Sequence, residues 1–234
     1  MRLVFLDTET TGLSPQSGDR IIEIGCVEFI DRRHTGRNLH LYLNPQRASH
    51  PDALRIHGLT DEFLSDKPLF AAVADQLLEF VDGAEVVIHN AGFDVSFLDH
   101  ELARLDLPKF ASHVDKITDS LTMARELFPG KANSLDALCK RLEVDNSNRS
   151  LHGALLDAGL LAEVYVRMTR GQKLLVVEAE ESPVVEAVIE ATDLRLFSLP
   201  ILLAHDQECV DHQAMIDQLQ KTSKTGAFWA QSVE

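Results

Sequence analysis

Apolar and polar positions divide the chain into a strand-rich beginning and a longer part in which helices alternate with strands. Three apolar stretches come first, at residues 3–6, 20–30 and 38–44, and a polar connector at 31–37 separates the last two. Stretches of this length with short polar connections are typical of neighbouring antiparallel strands. We therefore expect a three-stranded antiparallel meander.

Helical spacing begins after this meander. From residue 68 onward, apolar residues recur about every four positions, at Leu69, Val73, Leu77 and Val81, as expected for one face of a helix. The run Glu-Val-Val-Ile at 85–88 then predicts a buried strand. The same criteria predict a short strand at 116–118 and helices at 93–105, 121–128, 134–142 and 153–168. A meander followed by alternating helices and strands predicts an α/β fold with a mixed five-stranded sheet flanked by helices.

The last part of the chain has a different composition. Residues 178–193 are rich in acidic residues and valine, and we interpret this stretch as the boundary between a main domain and a small C-terminal tail segment. A last helix is expected at about 206–221, where apolar residues lie loosely on one face.

Length and composition are typical of a globular protein. The 234 residues, 45% of them hydrophobic, suffice for one main domain with its own core and a smaller additional part. No apolar run approaches the ~20 residues that span a bilayer, and the apolar start at residues 1–6 is too short for a signal peptide. We expect a cytoplasmic protein without a membrane partner. The three cysteines lack metal-binding or disulfide spacing, and we interpret them as reduced thiols.

The chain carries a formal net charge of −15. Unaided binding to nucleic acid depends on Lys and Arg side chains that replace the counterions of phosphate groups. If the substrate is DNA or RNA, metal ions or a partner protein must therefore supply positive charge.

A pair of carboxylates, Asp7 and Glu9, directly follows the first apolar stretch. Residues two apart in a strand point to the same face, so both carboxylates lie at one end of an otherwise apolar element. They repel each other unless a cation lies between them, and a hard divalent ion with oxygen ligands fits that position. A lone Asp-x-Glu is more often a solvated pair at the end of a strand, so the interpretation depends on further acidic residues.

Two further acidic residues begin predicted helices. Asp94 lies near the first turn of a helix that comes directly after the strand at 85–88, where the helix N-terminus favours a charged carboxylate. Asp157 lies on a helix after a loop that contains His152. Each residue also has a simpler explanation by itself, Asp94 as a helix-start acid and His152 as a loop or capping histidine.

His152 is the candidate base. Imidazole titrates near neutral pH and can accept a proton from a metal-bound water, so a histidine beside metal-holding carboxylates suits hydrolysis. The other histidines show no His-x-His or His-Glu-x-x-His spacing, and a histidine-rich zinc site is therefore not indicated.

The order and local context of Asp7, Glu9, Asp94, His152 and Asp157 resemble the DEDDh family of 3′–5′ exonucleases. Within this family the chain is similar to the epsilon-type proofreading subunits of bacterial DNA polymerase III, from residue 1 to about residue 172. The segments that carry the resemblance are Leu-Asp-Thr-Glu-Thr-Thr-Gly at 6–12, Ile-Ile-Glu-Ile-Gly at 21–25, His-Asn-Ala-Gly-Phe-Asp at 89–94, Thr-Asp-Ser at 118–120, Phe-Pro-Gly-Lys at 128–131, Asn-Ser-Leu-Asp-Ala-Leu-Cys at 133–139 and Leu-His-Gly-Ala-Leu-Leu-Asp-Ala at 151–158.

The resemblance implies an RNase H-like fold and a site with two divalent ions, Mg²⁺ or Mn²⁺. Asp7, Glu9 and Asp157 are implied to hold the catalytic ion and to contact the substrate. Asp7 is also implied to bridge to the second ion, whose shell Asp94 completes.

The remaining implied roles concern the attacking water and the terminal nucleotide. His152 is implied to deprotonate the water, and Asp119 to be a supporting residue that binds no metal. The segment at 51–58 resembles a loop of the family in which Asp52 and His57 approach the terminal nucleotide, although many relatives carry Glu in place of Asp52.

The implied function is hydrolysis of phosphodiester bonds at mismatched or single-stranded 3′ ends of DNA, as the proofreading subunit of DNA polymerase III. Residues 1–172 are then the exonuclease domain, 173–204 a linker, and 205–234 a tail that docks on the alpha subunit of the polymerase. A helix that packs on its own domain is the simpler reading of that tail. Residues 172–177 resemble a segment that binds the sliding clamp, and the aromatic pair at 228–229 suits an anchor in a partner.

Two alternatives stay open. One is a DEDDh exonuclease that trims the 3′ ends of RNA, which would have no need of the linker and tail after about residue 178. The other is a scaffold that stabilises a polymerase without catalysis, which the complete set of acidic residues disfavours.

Overall fold

The computed structural model describes residues 1–147, 151–170 and 204–222, except the side chains at positions 220 and 222. The strands are β1 Arg2–Thr10, β2 Ile21–Ile30, β3 Arg33–Tyr42, β4 Glu85–Ile88 and β5 Lys116–Asp119. The helices are α1 Pro51–His57, α2 Asp61–Leu64, α3 Phe70–Val81, α4 Ala91–Ala103, α5 Ser120–Leu127, α6 Leu135–Arg141, α7 Ala154–Met168 and α8 Asp206–Thr222. The chain divides into two compact units, Met1–Glu178 and Ala179–Glu234, and the sheet belongs to the first.

The five strands form one mixed sheet in the order β3-β2-β1-β4-β5. Strands β1, β2 and β3 pair antiparallel, whereas β4 is parallel to β1 and β5 is parallel to β4. This arrangement confirms the predicted meander and the mixed five-stranded sheet. It also makes β1 the central strand, which explains its nearly continuous apolar run, because a strand covered on both faces has little polar surface.

Side chains of β1 alternate between two layers of helices. Val4 and Leu6 pack in one apolar cluster with residues of α3 and α4. Leu3 and Phe5 pack in a second cluster with residues of α6 and α7. Because the polar end of β1 continues this alternation, its successive residues face α4 and α7 in turn.

The connection between β2 and β3 differs from the prediction. The expected polar connector at 31–37 is reduced to a two-residue turn, and β3 begins at Arg33. Asp31 and Arg32 have positive φ angles of 49° and 66°, as the two central residues of a type I′ hairpin turn do. The hairpin is therefore tighter and β3 longer than the sequence suggested.

The segment at 51–58 was expected to be a loop and is a helix instead. In α1 the proline occupies the first helical position and Gly58 ends the helix with a φ of 72°. The ring of His50 accepts a hydrogen bond from the backbone N–H of Asp52 at 3.3 Å. Pro at the start and Gly after the end both indicate a short helix. The helix was not predicted because the segment has no apolar stripe.

The last predicted helix is confirmed as α8. The predicted linker at 173–204, the clamp-binding-like segment at 172–177 and the aromatic pair at 228–229 lie outside the described residues. None of the described helices is long and apolar enough to cross a bilayer.

Candidate active site

Asp7 and Glu9 lie inside β1, beyond its apolar part. Both are half-buried, and they share the strand face of Leu3 and Phe5 because side chains alternate along a strand. The second apolar cluster shows that this face packs against α7. The first two predicted metal ligands therefore point toward the layer that contains Asp157.

A glycine of β2 allows α7 to begin close to these carboxylates. Gly25 lies directly opposite Asp7 in the β1–β2 pairing. A Cβ atom on Gly25 would lie 2.2 Å from the carbonyl carbon of Ala154 and 2.2 Å from the nitrogen of Leu155. The first turn of α7 therefore packs directly on the backbone of β2. Asp157, only 3% exposed, lies in that turn.

Asp94 approaches from the opposite layer. It lies in the first turn of α4 and is 3% exposed. One of its carboxylate oxygens accepts hydrogen bonds from the backbone N–H of Thr8 at 3.1 Å and from the Thr8 hydroxyl at 2.7 Å. Burial raises the pKa of Asp94 to about 7. The bonds from Thr8 oppose this increase, and the nearby carboxylate of Asp119 adds to it.

His152 lies at the entrance of α7. Its side chain is 44% exposed, and its Nδ1 atom is 3.4 Å from Oδ2 of Asp157. Its backbone N–H donates to the carbonyl oxygen of Ile56 at 3.1 Å, which ties the loop to α1. Glu9, His152 and Asp157 each offer a ligand atom, and these atoms lie within 4.8 Å of one another.

All five predicted DEDDh residues line one cleft of about 270 Å³, which we call the acidic cleft. Among the residues that the structure describes, its lining includes no Lys or Arg. The described lining residues are Asp7, Thr8, Glu9, His89, Asn90, Phe93, Asp94, Ser134, Leu135, Asp136, His152 and Asp157. Carboxylates concentrated in this way repel each other, and either protonation, which the raised pKa of Asp94 favours, or a bound cation relieves that repulsion. A set of carboxylate oxygens suits a hard divalent ion such as Mg²⁺ or Mn²⁺.

A larger cleft of about 760 Å³ adjoins the acidic cleft, and Thr8, Glu9 and Phe93 line both. We call it the side cleft. Its remaining lining combines the exposed Leu13 and Ile56 with polar groups of the loop after β1 and of α1. A cleft of this size with mixed apolar and polar walls is large enough for a small organic ligand.

His57 lies in the side cleft and is 4% exposed. Its Nδ1 atom accepts a hydrogen bond from the backbone N–H of Leu59 at 2.9 Å, so the proton of the neutral ring is on Nε2. Burial lowers the pKa of His57, and Asp61 opposes this effect. Its Nε2 atom is buried and has no hydrogen-bond partner within the described part of the chain. The site thus contains a neutral histidine with an unused donor.

Asp52 lies apart from the acidic cleft. It is exposed on α1, lines the side cleft, and forms an ion pair with Arg55. Its Oδ2 atom lies 3.6 Å from Nδ1 of His50. The structure therefore separates the predicted site residues into five at the acidic cleft and two, Asp52 and His57, at its neighbour.

Several residues at the site were missed in the sequence. Thr8 orients Asp94, and Phe93 forms part of both clefts. Asn90 has a left-handed backbone with a φ of 67°, and its N–H donates to the carboxylate of Asp119 at 3.1 Å. Asp119 also accepts from two N–H groups of α5, which agrees with a supporting role. Of these residues, only Asn90 could have been noticed in the sequence, since Asn is among the residues that adopt a left-handed backbone conformation.

Comparison with known proteins identifies relatives over most of the chain. An exonuclease family model (RNase_T) matches residues 4–165. The DNA polymerase III subunit epsilon of Escherichia coli K12 is 49% identical over 229 residues, which cover 94% of each chain. The subunit of the same name from Haemophilus influenzae is 46% identical over 241 aligned positions, which cover 97% of this chain and 94% of that protein.

Solved structures of exonucleases share the fold. Exonuclease X in complex with duplex DNA that has a 5′ overhang superposes with a TM-score of 0.56 at 28% identity, over 71% of this chain and 90% of that chain. The zinc-bound complex of E. coli exonuclease I with single-stranded DNA superposes with a TM-score of 0.65 at 22% identity, over 74% of this chain and 42% of that chain. The family model and these relatives show that the chain belongs to the exonuclease family that includes the epsilon subunits of DNA polymerase III.

Proposed function

We propose that this protein removes nucleotides from mismatched or single-stranded 3′ ends of DNA, as the proofreading subunit of a bacterial DNA polymerase III. One observation carries the proposal. Four carboxylates and a histidine from β1, α4, α7 and the loop before α7 converge on one cleft. This is the arrangement that metal-assisted phosphodiester hydrolysis requires.

The acidic cleft has the ligands for two divalent ions, Mg²⁺ or Mn²⁺. Asp7, Glu9 and Asp157 would hold one of them, and Asp7 with Asp94 the other. When bound, the ions supply Lewis-acid stabilisation of the phosphate charge and lower the pKa of the attacking water. The protein fixes the ligands from three elements, since β1, α4 and α7 each pack in the core.

His152 would accept the proton of the attacking water. Its ring is exposed enough to reach a substrate in the cleft, while its contact with Asp157 limits the orientations available to it. A base with these properties contributes a factor of about 10² to 10⁴ to hydrolysis. The hydrogen bond from the backbone N–H of His152 to the carbonyl oxygen of Ile56 would keep the ring at the opening of the cleft.

The side cleft would hold the terminal nucleotide. Phe93 and Ile56 offer apolar surface to a base or sugar, and His57 offers an unused N–H donor. Asp52 faces the same cleft, where its pair with Arg55 is exposed. A terminal nucleotide that enters this cleft would have to leave its base pair, so a frayed mismatched end would enter more readily than a paired one.

The C-terminal part would dock on the alpha subunit of the polymerase. Relatives named DNA polymerase III subunit epsilon align over 94% of the chain, well beyond the family model that ends at residue 165. In this proposal residues 173–204 are a linker and residues 205–234 the docking tail, which includes α8 and the aromatic pair at 228–229. Contact of residues 172–177 with the sliding clamp is part of the same proposal.

The decisive experiment measures release of mononucleotides from a DNA primer with a mismatched 3′ end, with Mg²⁺ and with a chelator. We expect metal-dependent release that is faster from the mismatched than from the paired primer and is lost in Asp7→Asn. Asp75→Asn, an exposed carboxylate on α3, is the matched control and retains the parent activity. Release from an RNA primer alone would favour the RNA-trimming alternative. Absence of metal-dependent release from either primer would favour the scaffold.

A further inference from the structure

A third cleft adjoins the acidic cleft and shares no lining residue with the side cleft. It measures about 500 Å³ and is lined by His89, Asn90, Leu121, Arg125, Gly130, Lys131, Asn133 and Ser134. Three of these residues, His89, Asn90 and Ser134, also line the acidic cleft. The described lining residues include two cations, Arg125 and Lys131, and no carboxylate, and we call this cleft the basic cleft. A positive surface of this kind next to the site is unexpected in a chain with a net charge of −15.

We propose that the basic cleft binds the phosphodiester backbone of the single DNA strand immediately upstream of the scissile bond. Arg125 and Lys131 are the groups that would neutralise its phosphates. The proposal rests on the proposed function, because it assumes that the scissile phosphate lies in the acidic cleft. It adds a binding site to that function and names the residues that form it.

The two cations are available for a ligand. Arg125 and Lys131 are exposed, and neither forms an ion pair within the described part of the chain. A second arginine-lined cleft, near Arg104, differs in this respect. There Arg20 is paired with Glu101 at 2.5 Å and Arg47 with Asp19 at 3.1 Å, so internal carboxylates already neutralise most of the charge.

The segment that carries Lys131 is held in place before any ligand binds. Arg141 donates to the Asn133 side chain at 3.1 Å and to the carbonyl oxygen of Ala132 at 2.8 Å, and its guanidinium stacks on Phe128 at 4.8 Å. The backbone N–H of Lys131 donates to the carbonyl oxygen of Phe128 at 3.2 Å. A loop fixed in this way loses little conformational entropy when it binds a ligand, which favours affinity.

The three clefts follow one another in an order that a single DNA strand could occupy, with the acidic cleft between the side cleft and the basic cleft. The acidic cleft shares Thr8, Glu9 and Phe93 with the side cleft, and it shares a different set of residues with the basic cleft. With the terminal nucleotide in the side cleft and its phosphate in the acidic cleft, the next nucleotides continue toward Lys131 and Arg125. Cations at that position offset the repulsion between the strand and the acidic protein.

The test compares the parent with Arg125→Ala/Lys131→Ala. A control variant, Arg104→Ala/Lys109→Ala, removes two exposed cations elsewhere in the same unit and changes the net charge equally. Binding of a fluorescent hexathymidylate is measured by anisotropy as a function of salt, with Ca²⁺ and a phosphorothioate terminal linkage to slow hydrolysis. Cleavage is measured on hexathymidylate and on the p-nitrophenyl ester of thymidine 5′-monophosphate, in which an aryl group replaces the upstream strand.

For the Arg125→Ala/Lys131→Ala variant we expect about a tenfold weaker binding of hexathymidylate, and a slope of log affinity against log salt reduced by about 1.4, since each phosphate contact on a single strand contributes about 0.7. The ratio of kcat/KM on hexathymidylate to kcat/KM on the ester falls about tenfold, and the control variant keeps the parent ratio. Equal binding by this variant and the parent, or an equal loss in the control, would overturn the proposal. A parent that binds the oligonucleotide but cleaves neither substrate would overturn the proposed function alone, because the binding comparison still decides the role of the basic cleft.

Discussion

Gly25 of β2 lies directly opposite Asp7 of β1, and the space that its missing side chain leaves is occupied by the first turn of α7. The close approach of α7 places Asp157 beside the two carboxylates of β1. A residue without any functional group therefore determines how these three carboxylates lie relative to one another.

The first prediction is that Gly25→Ala lowers kcat strongly while it destabilises the folded protein only moderately. The new Cβ atom would lie 2.2 Å from backbone atoms of Ala154 and Leu155, so α7 must shift. We expect a loss of stability of about 1–3 kcal/mol, as for other overpacked sites, and about a hundredfold lower kcat, because displacements near 1 Å have effects of this size. Chemical denaturation and steady-state kinetics measure the two quantities.

Gly159→Ala on the same helix is the matched control. Its Cβ meets no atom within 4 Å, and replacing Gly by Ala inside a helix stabilises it by up to about 1 kcal/mol. We expect it to keep the parent kcat. A Gly25→Ala variant with parent activity would show that α7 does not depend on this close approach.

The second prediction concerns stability against pH in a chelator. Burial raises the pKa of Asp94 from 3.8 to about 7. Between these values the folded protein keeps a proton that the unfolded chain has lost, so the free energy of unfolding decreases as the pH rises. We expect the melting temperature to fall between about pH 4 and about pH 7, and less steeply in Asp94→Asn. Scanning calorimetry without divalent ions measures both slopes.

The Asp94→Asn change preserves an oxygen that can accept the bonds from Thr8, so it removes the titration while keeping the local contacts. Asp75→Asn again serves as the control and should show the parent slope. Identical slopes for the parent and Asp94→Asn would contradict the assignment of the pH dependence to this buried carboxylate.

The third prediction concerns His57. Its ring is neutral, and its Nε2–H is buried without a partner within the described residues. If this donor contacts the terminal nucleotide, His57→Phe loses one hydrogen bond, worth about 0.5–1.5 kcal/mol. We expect the inhibition constant of thymidine 5′-monophosphate to rise by about three- to tenfold, as measured by competition in the exonuclease assay.

His113 provides the comparison, because its Nε2 atom is likewise buried without a partner in the described part of the chain and the residue lines none of the clefts at the site. His113→Phe should leave nucleotide inhibition at the parent value. Equal inhibition of the His57→Phe variant and the parent would exclude a contact between His57 and the nucleotide.

Local patterns were sufficient to predict the sheet, whereas the five DEDDh residues were predicted from their joint order and context along the chain, and all five line the acidic cleft. The apolar run of β1 follows from its burial on both faces, and the shared direction of Asp7 and Glu9 follows from alternation along a strand; both patterns are visible in the sequence. Contacts between residues that are far apart in the chain leave no such pattern in the sequence. The bonds between Thr8 and Asp94 join residues far apart in the chain, and the approach of α7 to Gly25 depends on how two elements pack.

The errors in secondary structure have a similar cause. The turn at Asp31 and Arg32 uses positive φ angles at residues that are not the usual Asn-Gly pair, so its tightness had no composition signal. The helix at Pro51–His57 buries only His57 and thus shows no apolar periodicity. Its only signals were the proline at its start and the glycine after its end.

The last prediction separates the role of His152 from that of the metal ligands. We expect His152→Ala to lower kcat by about 10² to 10⁴, the range for loss of a general base, while divalent ions still raise the melting temperature of the variant, because Asp7, Glu9, Asp94 and Asp157 remain. His34→Ala, an exposed histidine on β3 that lines none of the clefts at the site, is the control and keeps the parent kcat. Calorimetry with and without Mn²⁺, combined with single-turnover cleavage, measures both effects. If the variant lost the thermal shift with Mn²⁺ together with its activity, His152 would be a metal ligand, consistent with its position within 4.8 Å of Glu9 and Asp157, and the assignment as the base would be wrong.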